Sequence, residues 1–150
     1  MAHALTTARY AFVKANWHAA IVQRALDGFL QIIPRERVDI FDVPGAFELP
    51  LTARDIALSR KYAAIAAAAL VVDGGIYQHS FVARAVVDGL MRVGLDTGVP
   101  VLSVSLTPHQ FRADELHQGF FGDHFLQKGR EAAEAALMIG KTRALLAMEA

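Results

Sequence analysis

The stretch Val43-Pro44-Gly45-Ala46-Phe47-Glu48-Leu49-Pro50 decides how this chain folds. It follows the short apolar run Val38-Asp39-Ile40-Phe41 and precedes a segment with helical spacing. Pro44 fixes φ at about −65° and Gly45 can take a positive φ, so Pro-Gly reads as a tight turn. Pro50 suits the first turn of a helix, where its missing N–H costs nothing. Glu48 then stands just ahead of a helix start, where the macrodipole favours a carboxylate. Strand, tight turn, exposed aromatic–acid pair and helix start form a ligand-facing corner of an open α/β sheet. A plain strand-to-helix connection with Phe47 buried has the same local grammar, so the rest of the chain must decide.

Working outward, the same alternation recurs. Tyr10-Ala11-Phe12-Val13 reads as a strand, leading through Asn16-Trp17-His18 to an amphipathic helix. That helix carries Ile21, Val22, Ala25, Leu26, Phe29, Leu30 and Ile33 at three- and four-residue intervals and is closed by Pro34. Val38 to Val43 is a second strand, and Thr52 to Arg60 completes a short helix with Pro50 in its first turn. Tyr62 to Val72 is apolar throughout, as a strand buried on both faces requires, although its alanines would also suit a buried helix. Asp73-Gly74-Gly75-Ile76-Tyr77-Gln78 is turn-rich, and from His79 a helical pattern runs through Val82, Val86, Leu90 and Val93. Pro100 to Thr107 makes a fourth strand. A Phe-, His- and Gly-rich region follows over 111–127, and a last helix is expected from Lys128 to about Met148. Four strand–helix alternations imply one domain over 1–150, a three-layer α/β/α sandwich with a four-stranded, mainly parallel sheet.

The totals exclude several function classes. Lys+Arg and Asp+Glu are both 15, giving a formal net charge of zero, which speaks against a nucleic-acid surface. Zero net charge with 54% apolar residues and a mean hydropathy of +0.31 points to self-association. The chain has no cysteine, hence no disulfide or thiolate chemistry. The first residues show no signal-peptide pattern, and the longest apolar run is too short for a membrane span; a cytoplasmic protein with no membrane partner is expected.

Ligands of an open parallel sheet collect at the carboxyl ends of its strands. Four such exits are legible: Asn16-Trp17-His18, Gly45-Ala46-Phe47-Glu48, Gly74 to His79, and Thr107-Pro108-His109. Each has an ordinary reading beside the functional one. Trp17 is the only tryptophan, and lone tryptophans commonly pack. Gly74-Gly75 can simply turn the chain, yet N–H groups just before a helix also hold anions. His79 opens that helix, where the macrodipole favours the neutral imidazole that a general base needs; a solvated capping histidine is the alternative. His109, His117 and His124 lie close in sequence without an HxH or HExxH pattern, so no metal site is expected. No GxGxxG, Walker or GxSxG sequence occurs, and no nucleotide cofactor is expected.

Taken together, these blocks resemble the 6,7-dimethyl-8-ribityllumazine synthase family, from Phe12 to about Met138. The most specific piece is the Val43 to Pro50 stretch. Trp17, Gly74-Gly75-Ile76-Tyr77-Gln78-His79, Gly98-Val99-Pro100-Val101 and Leu106-Thr107 match at agreeing spacing. The resemblance implies a flavodoxin-like fold and the condensation of 5-amino-6-ribitylaminouracil with 3,4-dihydroxy-2-butanone 4-phosphate, without cofactor or metal. It implies that Trp17 stacks on the pyrimidine, that Ala46, Phe47 and Glu48 line the ribityl chain, and that the Gly75-Ile76 backbone meets the phosphate. It further implies that His79 transfers protons and that Lys128 reaches a site shared with a neighbouring subunit.

The chain departs from the common pattern of the family in several places. Asp73-Gly74-Gly75-Ile76-Tyr77-Gln78 stands where Arg-Gly and a Thr-rich loop are usual, and Ser103-Val104 replaces Phe-Gly. No arginine aligns cleanly as the phosphate cation, which leaves Arg112, His117 and His124 as candidates. The Gly-Thr-Lys-Ala-Gly kink of the icosahedral shells is missing from Phe120 to Gln127, so the resemblance implies a pentamer or, in preference, a decamer of two pentamers. A flavin- or lumazine-binding oligomer with little turnover is the alternative, and a structural oligomer without ligand a third reading.

Overall fold

The structure, a computed structural model, describes residues 7–72, 79–106 and 115–149. Its strands are β1 (Tyr10–Ala15), β2 (Val38–Val43), β3 (Ala64–Leu70) and β4 (Val101–Leu106). Its helices are α1 (Ala19–Ile32), α2 (Leu49–Leu58), α3 (His79–Thr97) and α4 (Glu115–Glu149), with short 3-10 turns at Arg35–Arg37 and Ala46–Glu48. The four strands form one parallel sheet in the order β2-β1-β3-β4. This is the layered α/β architecture expected from the alternation, because parallel neighbours need helical crossovers that cover both faces.

Side chains alternate along β1 and divide the core in two. Tyr10 and Phe12 face one layer with Val22, Leu26 and Phe29 of α1 and Phe125, Ala133 and Ala136 of α4. Ala11, Val13 and Ala15 face the other, with Leu49, Ala53 and Ile56 of α2 and Val86, Leu90 and Val93 of α3. β3 runs Ala-Ile-Ala-Ala-Ala-Ala-Leu and is buried at every residue. Its alanines let helices approach from both sides, and the run is a strand rather than a buried helix.

Several boundaries moved. β1 continues to Ala15, and β3 is shorter than the apolar run at Tyr62 to Val72. α2 starts at Leu49, with Glu48 just ahead of it and Pro50 in its first turn as expected, and ends at Leu58 rather than Arg60. The largest change is α4, which begins at Glu115 rather than Lys128. The Phe-, His- and Gly-rich region over 111–127 carries no helical stripe in its sequence. At Gly129, within the expected helix, a Cβ would come within 1.9 Å of the Ala25 carbonyl oxygen, and at Gly28 of α1 within 2.0 Å of the Leu126 oxygen. These two glycines allow α1 and α4 to touch backbone to backbone; they do not break the helices.

Candidate functional site: the carboxyl rim of the sheet

The exits of β1 and β2 are stitched together beyond the sheet. The N–H of Asn16 donates to the Val43 carbonyl at 2.8 Å, and that of Trp17 to the Pro44 carbonyl at 3.4 Å. His18 then takes a left-handed conformation, φ 58° and ψ 42°, and its carbonyl accepts from Ile21 and Val22 at the start of α1. A non-glycine residue in this region is uncommon, though histidine is among those that tolerate it. Two fixed donors and one sharp turn therefore define where Trp17 stands.

Trp17 lies against Gly45. A Cβ placed on Gly45 would be 3.1 Å from Cε3 and 3.2 Å from Cζ3 of the indole. The tryptophan is nevertheless 70% exposed, so it is not a core residue. The expected positive φ at Gly45 is not found. Its φ is −150° and ψ −174°, extended backbone open to any residue, and what a side chain there would meet is the indole rather than a strained turn.

After Gly45, residues Ala46–Glu48 make a single 3-10 turn that leads directly into α2. Ala46 is buried on the α2–α3 side of the sheet, whereas Phe47 is 54% exposed and Glu48 is exposed. The ordinary connection was expected to bury Phe47, and in this single chain the residue is exposed instead. Glu48 occupies the cap position of α2 without a side-chain hydrogen bond to the helix. Its carboxylate thus stands at the positive end of the α2 dipole.

The third exit leads into α3. His79 is its first residue, and α3 packs on the sheet face that also holds Ala46. A Cβ on Gly89 would lie 2.9 Å from Cγ of Pro50, so α2 meets α3 at its middle. About 15 Å of α3 precedes that contact, at about 1.5 Å per residue, and α3 ends at Thr97, shortly before β4 begins, so its His79 end lies toward the edge at which the parallel strands finish. Gly75, Ile76 and Arg112 lie outside the described residues. His117 falls on the first turns of α4.

Lys128 is not brought to this rim. It sits inside α4, not ahead of it, and pairs with Glu131 at 3.1 Å. α4 packs with α1 on the face of the sheet opposite to Ala46, so one chain places Lys128 and Glu48 on different sides. His124 is exposed on the same helix, close to Asp123, whose carboxylate is 3.8 Å from Arg24. Among the described residues no group of three or more His, Asp or Glu side chains could hold a metal ion. None of their helices is long and apolar enough to cross a membrane.

Gly45 was legible as a glycine but read as a turn residue able to take positive φ, and the left-handed His18 carried no sequence signal beyond its place after Trp17. Comparison with known proteins bears on what this rim serves. The family model described as 6,7-dimethyl-8-ribityllumazine synthase matches residues 7–143. The chain is similar to the 6,7-dimethyl-8-ribityllumazine synthase of Rhodococcus erythropolis, 58% identical over 132 residues, covering 85% of each chain. It is also similar to 6,7-dimethyl-8-ribityllumazine synthase 2 of Pseudomonas syringae pv. tomato, 51% identical over 148 residues, covering 95% of this chain and 87% of the relative. A third relative, 6,7-dimethyl-8-ribityllumazine synthase 2 of Bradyrhizobium diazoefficiens, is 52% identical over 130 residues, 85% of this chain and 79% of its own length. With a matching family model over most of its length and such relatives on all sides, the chain belongs to the 6,7-dimethyl-8-ribityllumazine synthase family.

Proposed function

We propose that the chain, as one domain over 1–150, condenses 5-amino-6-ribitylaminouracil with 3,4-dihydroxy-2-butanone 4-phosphate, giving 6,7-dimethyl-8-ribityllumazine, phosphate and a water from each of the two carbonyl condensations. The observation that carries the site reading is the exposed indole of Trp17 seated on Gly45, next to Phe47 and Glu48 at the start of α2. A flat aromatic face beside a carboxylate suits a pyrimidine that bears a polyol. In this reading Trp17 stacks on the ring, while Ala46, Phe47 and Glu48 flank the ribityl chain and Glu48 accepts hydrogen bonds from its hydroxyls.

The reaction needs an imine between the amine and the ketone, elimination of phosphate, and ring closure. Each step moves protons and none transfers electrons to an outside acceptor, so no redox cofactor is called for. His79, at the first residue of α3, is assigned the proton transfers. The Gly75-Ile76 backbone ahead of the same helix is assigned the phosphate, joined by a cation from Arg112, His117 or His124. Lys128, on the far side of its own sheet, is assigned to the site of a neighbouring copy. The assembly is then a ring, a pentamer or a decamer of two pentamers, working in the cytoplasm.

Mixing the two substrates with the protein and following lumazine absorbance tests the proposal. Product formation well above the spontaneous background is expected. Background rate with ligand binding retained would instead make the chain a flavin- or lumazine-binding oligomer.

A further inference from the structure

We propose that Gly45 is a positioning residue for Trp17, so that the absence of a side chain at this position sets where the indole stands and hence how well it holds an aromatic ligand. The inference rests on the assignment of Trp17 as the stacking residue. Glycine is ordinarily explained by a positive φ or a flexible turn, and neither applies. The backbone of Gly45 is extended at φ −150°, its surface is buried, and its carbonyl accepts the Glu48 N–H at 3.3 Å. What alanine would meet is the indole itself: Cε3 at 3.1 Å, Cζ3 at 3.2 Å and Cδ2 at 3.5 Å.

All three atoms belong to the six-membered ring, so the indole presses that ring onto the bare Cα of Gly45. Its backbone cannot slide away to relieve a new contact. The Asn16 and Trp17 N–H groups are tied to the Val43 and Pro44 carbonyls, and His18 turns the chain into α1 immediately afterwards. A methyl group at position 45 must therefore be met by rotation of the indole, by a few tenths of an ångström or more at the ring. Because the tryptophan is 70% exposed, little else packs against it to hold its pose. The seat is thus supplied by β2 and its exit, while the residue that uses it belongs to β1.

Gly45→Ala tests this without a backbone penalty, since extended φ and ψ suit alanine. Trp17 is the only tryptophan in the chain, so its emission reports the seat directly. We expect Gly45→Ala to shift the emission maximum, and to raise KM for the ribitylaminouracil about three- to ten-fold with kcat within about two-fold, the size of a misplaced aromatic contact. In a Trp17→Ala background, adding Gly45→Ala should raise KM no further, because the two residues act through one contact. Far-UV circular dichroism and the melting temperature verify that both variants are folded. Unchanged emission and KM in Gly45→Ala overturn the proposal, as does an equal KM penalty with and without the indole. A wild-type KM in Trp17→Ala removes the stacking assignment instead; the emission of Gly45→Ala then decides the seat alone, a shift supporting it and no shift overturning it.

Discussion

Trp17 and His79 are the residues on which the proposed chemistry turns. Trp17→Ala should weaken binding of the pyrimidine by about 1 kcal/mol or more through lost stacking, measurable by titration calorimetry with a substrate analogue. His79→Ala should slow turnover by about 10²–10⁴-fold while leaving that affinity near the wild-type value, as removal of a proton-transfer group does. Equal rates in the variant would take His79 out of the chemistry. The amino end of the sheet, away from the rim, carries a pH-sensitive cluster around Asp39. Asp39 accepts from the Tyr62 hydroxyl at 2.7 Å and from Arg9 at 2.6 Å, and these bonds hold its carboxyl below the ordinary 3.8. Burial and the bond to Asp39 push the Tyr62 hydroxyl above its ordinary 10.0. Folding is therefore helped by Asp39 above the usual carboxylate range, and that help is lost as pH falls through the lowered value. The help from Tyr62 is complete below about pH 10 and fades as pH rises through its raised value. Asp39→Asn should flatten the acid limb of melting temperature against pH; an unaltered limb would show that other carboxylates set it. Position along the chain made Trp17, Glu48 and His79 visible as strand-exit residues, because sequence order gives the exits directly. It could not show that Gly45 touches the indole, since that contact joins two strands through a third dimension.

At the level of elements, the crossing of α1 and α4 is the tightest packing described here. Gly129→Ala would drive a methyl group into the Ala25 carbonyl, and Gly28→Ala into that of Leu126. Both helices would have to separate, and overpacking of this kind costs about 1–3 kcal/mol or more. Each substitution should lower the melting temperature by several degrees, although alanine is the better helix former at an exposed site. A rise in melting temperature for Gly129→Ala would mean that the crossing is looser than described. The strands and the first three helices were readable from periodicity, because each presents an apolar stripe or a fully apolar run. The first turns of α4 were not, because Phe, His and Gly cluster there without a helical stripe. Helical glycine pays off only against the partner helix, and a partner cannot be seen from one segment alone.

For the whole molecule, Lys128 and Glu48 stand on opposite faces of one sheet. If catalytic sites are shared between copies, a subunit carrying His79→Ala and one carrying Lys128→Ala each lack a different half. Mixed after dissociation and reassembled, the two inactive variants should recover a measurable fraction of wild-type rate, through sites that pair the intact His79 of one with the intact Lys128 of the next. No recovery after verified co-assembly would place all of the site within a single chain. Composition had already pointed toward association, with zero net charge and a high apolar share. The structure adds where apolar surface is left uncovered in one copy: Phe81, Met91 and Leu95 on α3 are all exposed. The number of copies in an assembly depends on angles between chains, which a single sequence does not encode in any local pattern.

The strand order β2-β1-β3-β4 also bears on how the chain is made. Pairing in the order of synthesis would let β2 join one edge of β1, β3 the other, and β4 line up outside β3. Every addition occurs at a free edge, and no pair already formed has to reopen. The cover of one face, however, arrives last: α4 packs on α1 and shields Tyr10, Phe12 and their neighbours only after the other elements exist. A nascent chain halted before Glu115 should therefore hold a finished sheet with one oily side half bare, and bind a hydrophobic dye that the full-length chain does not. The vulnerable moment in the life of this protein falls in the last helix to be translated.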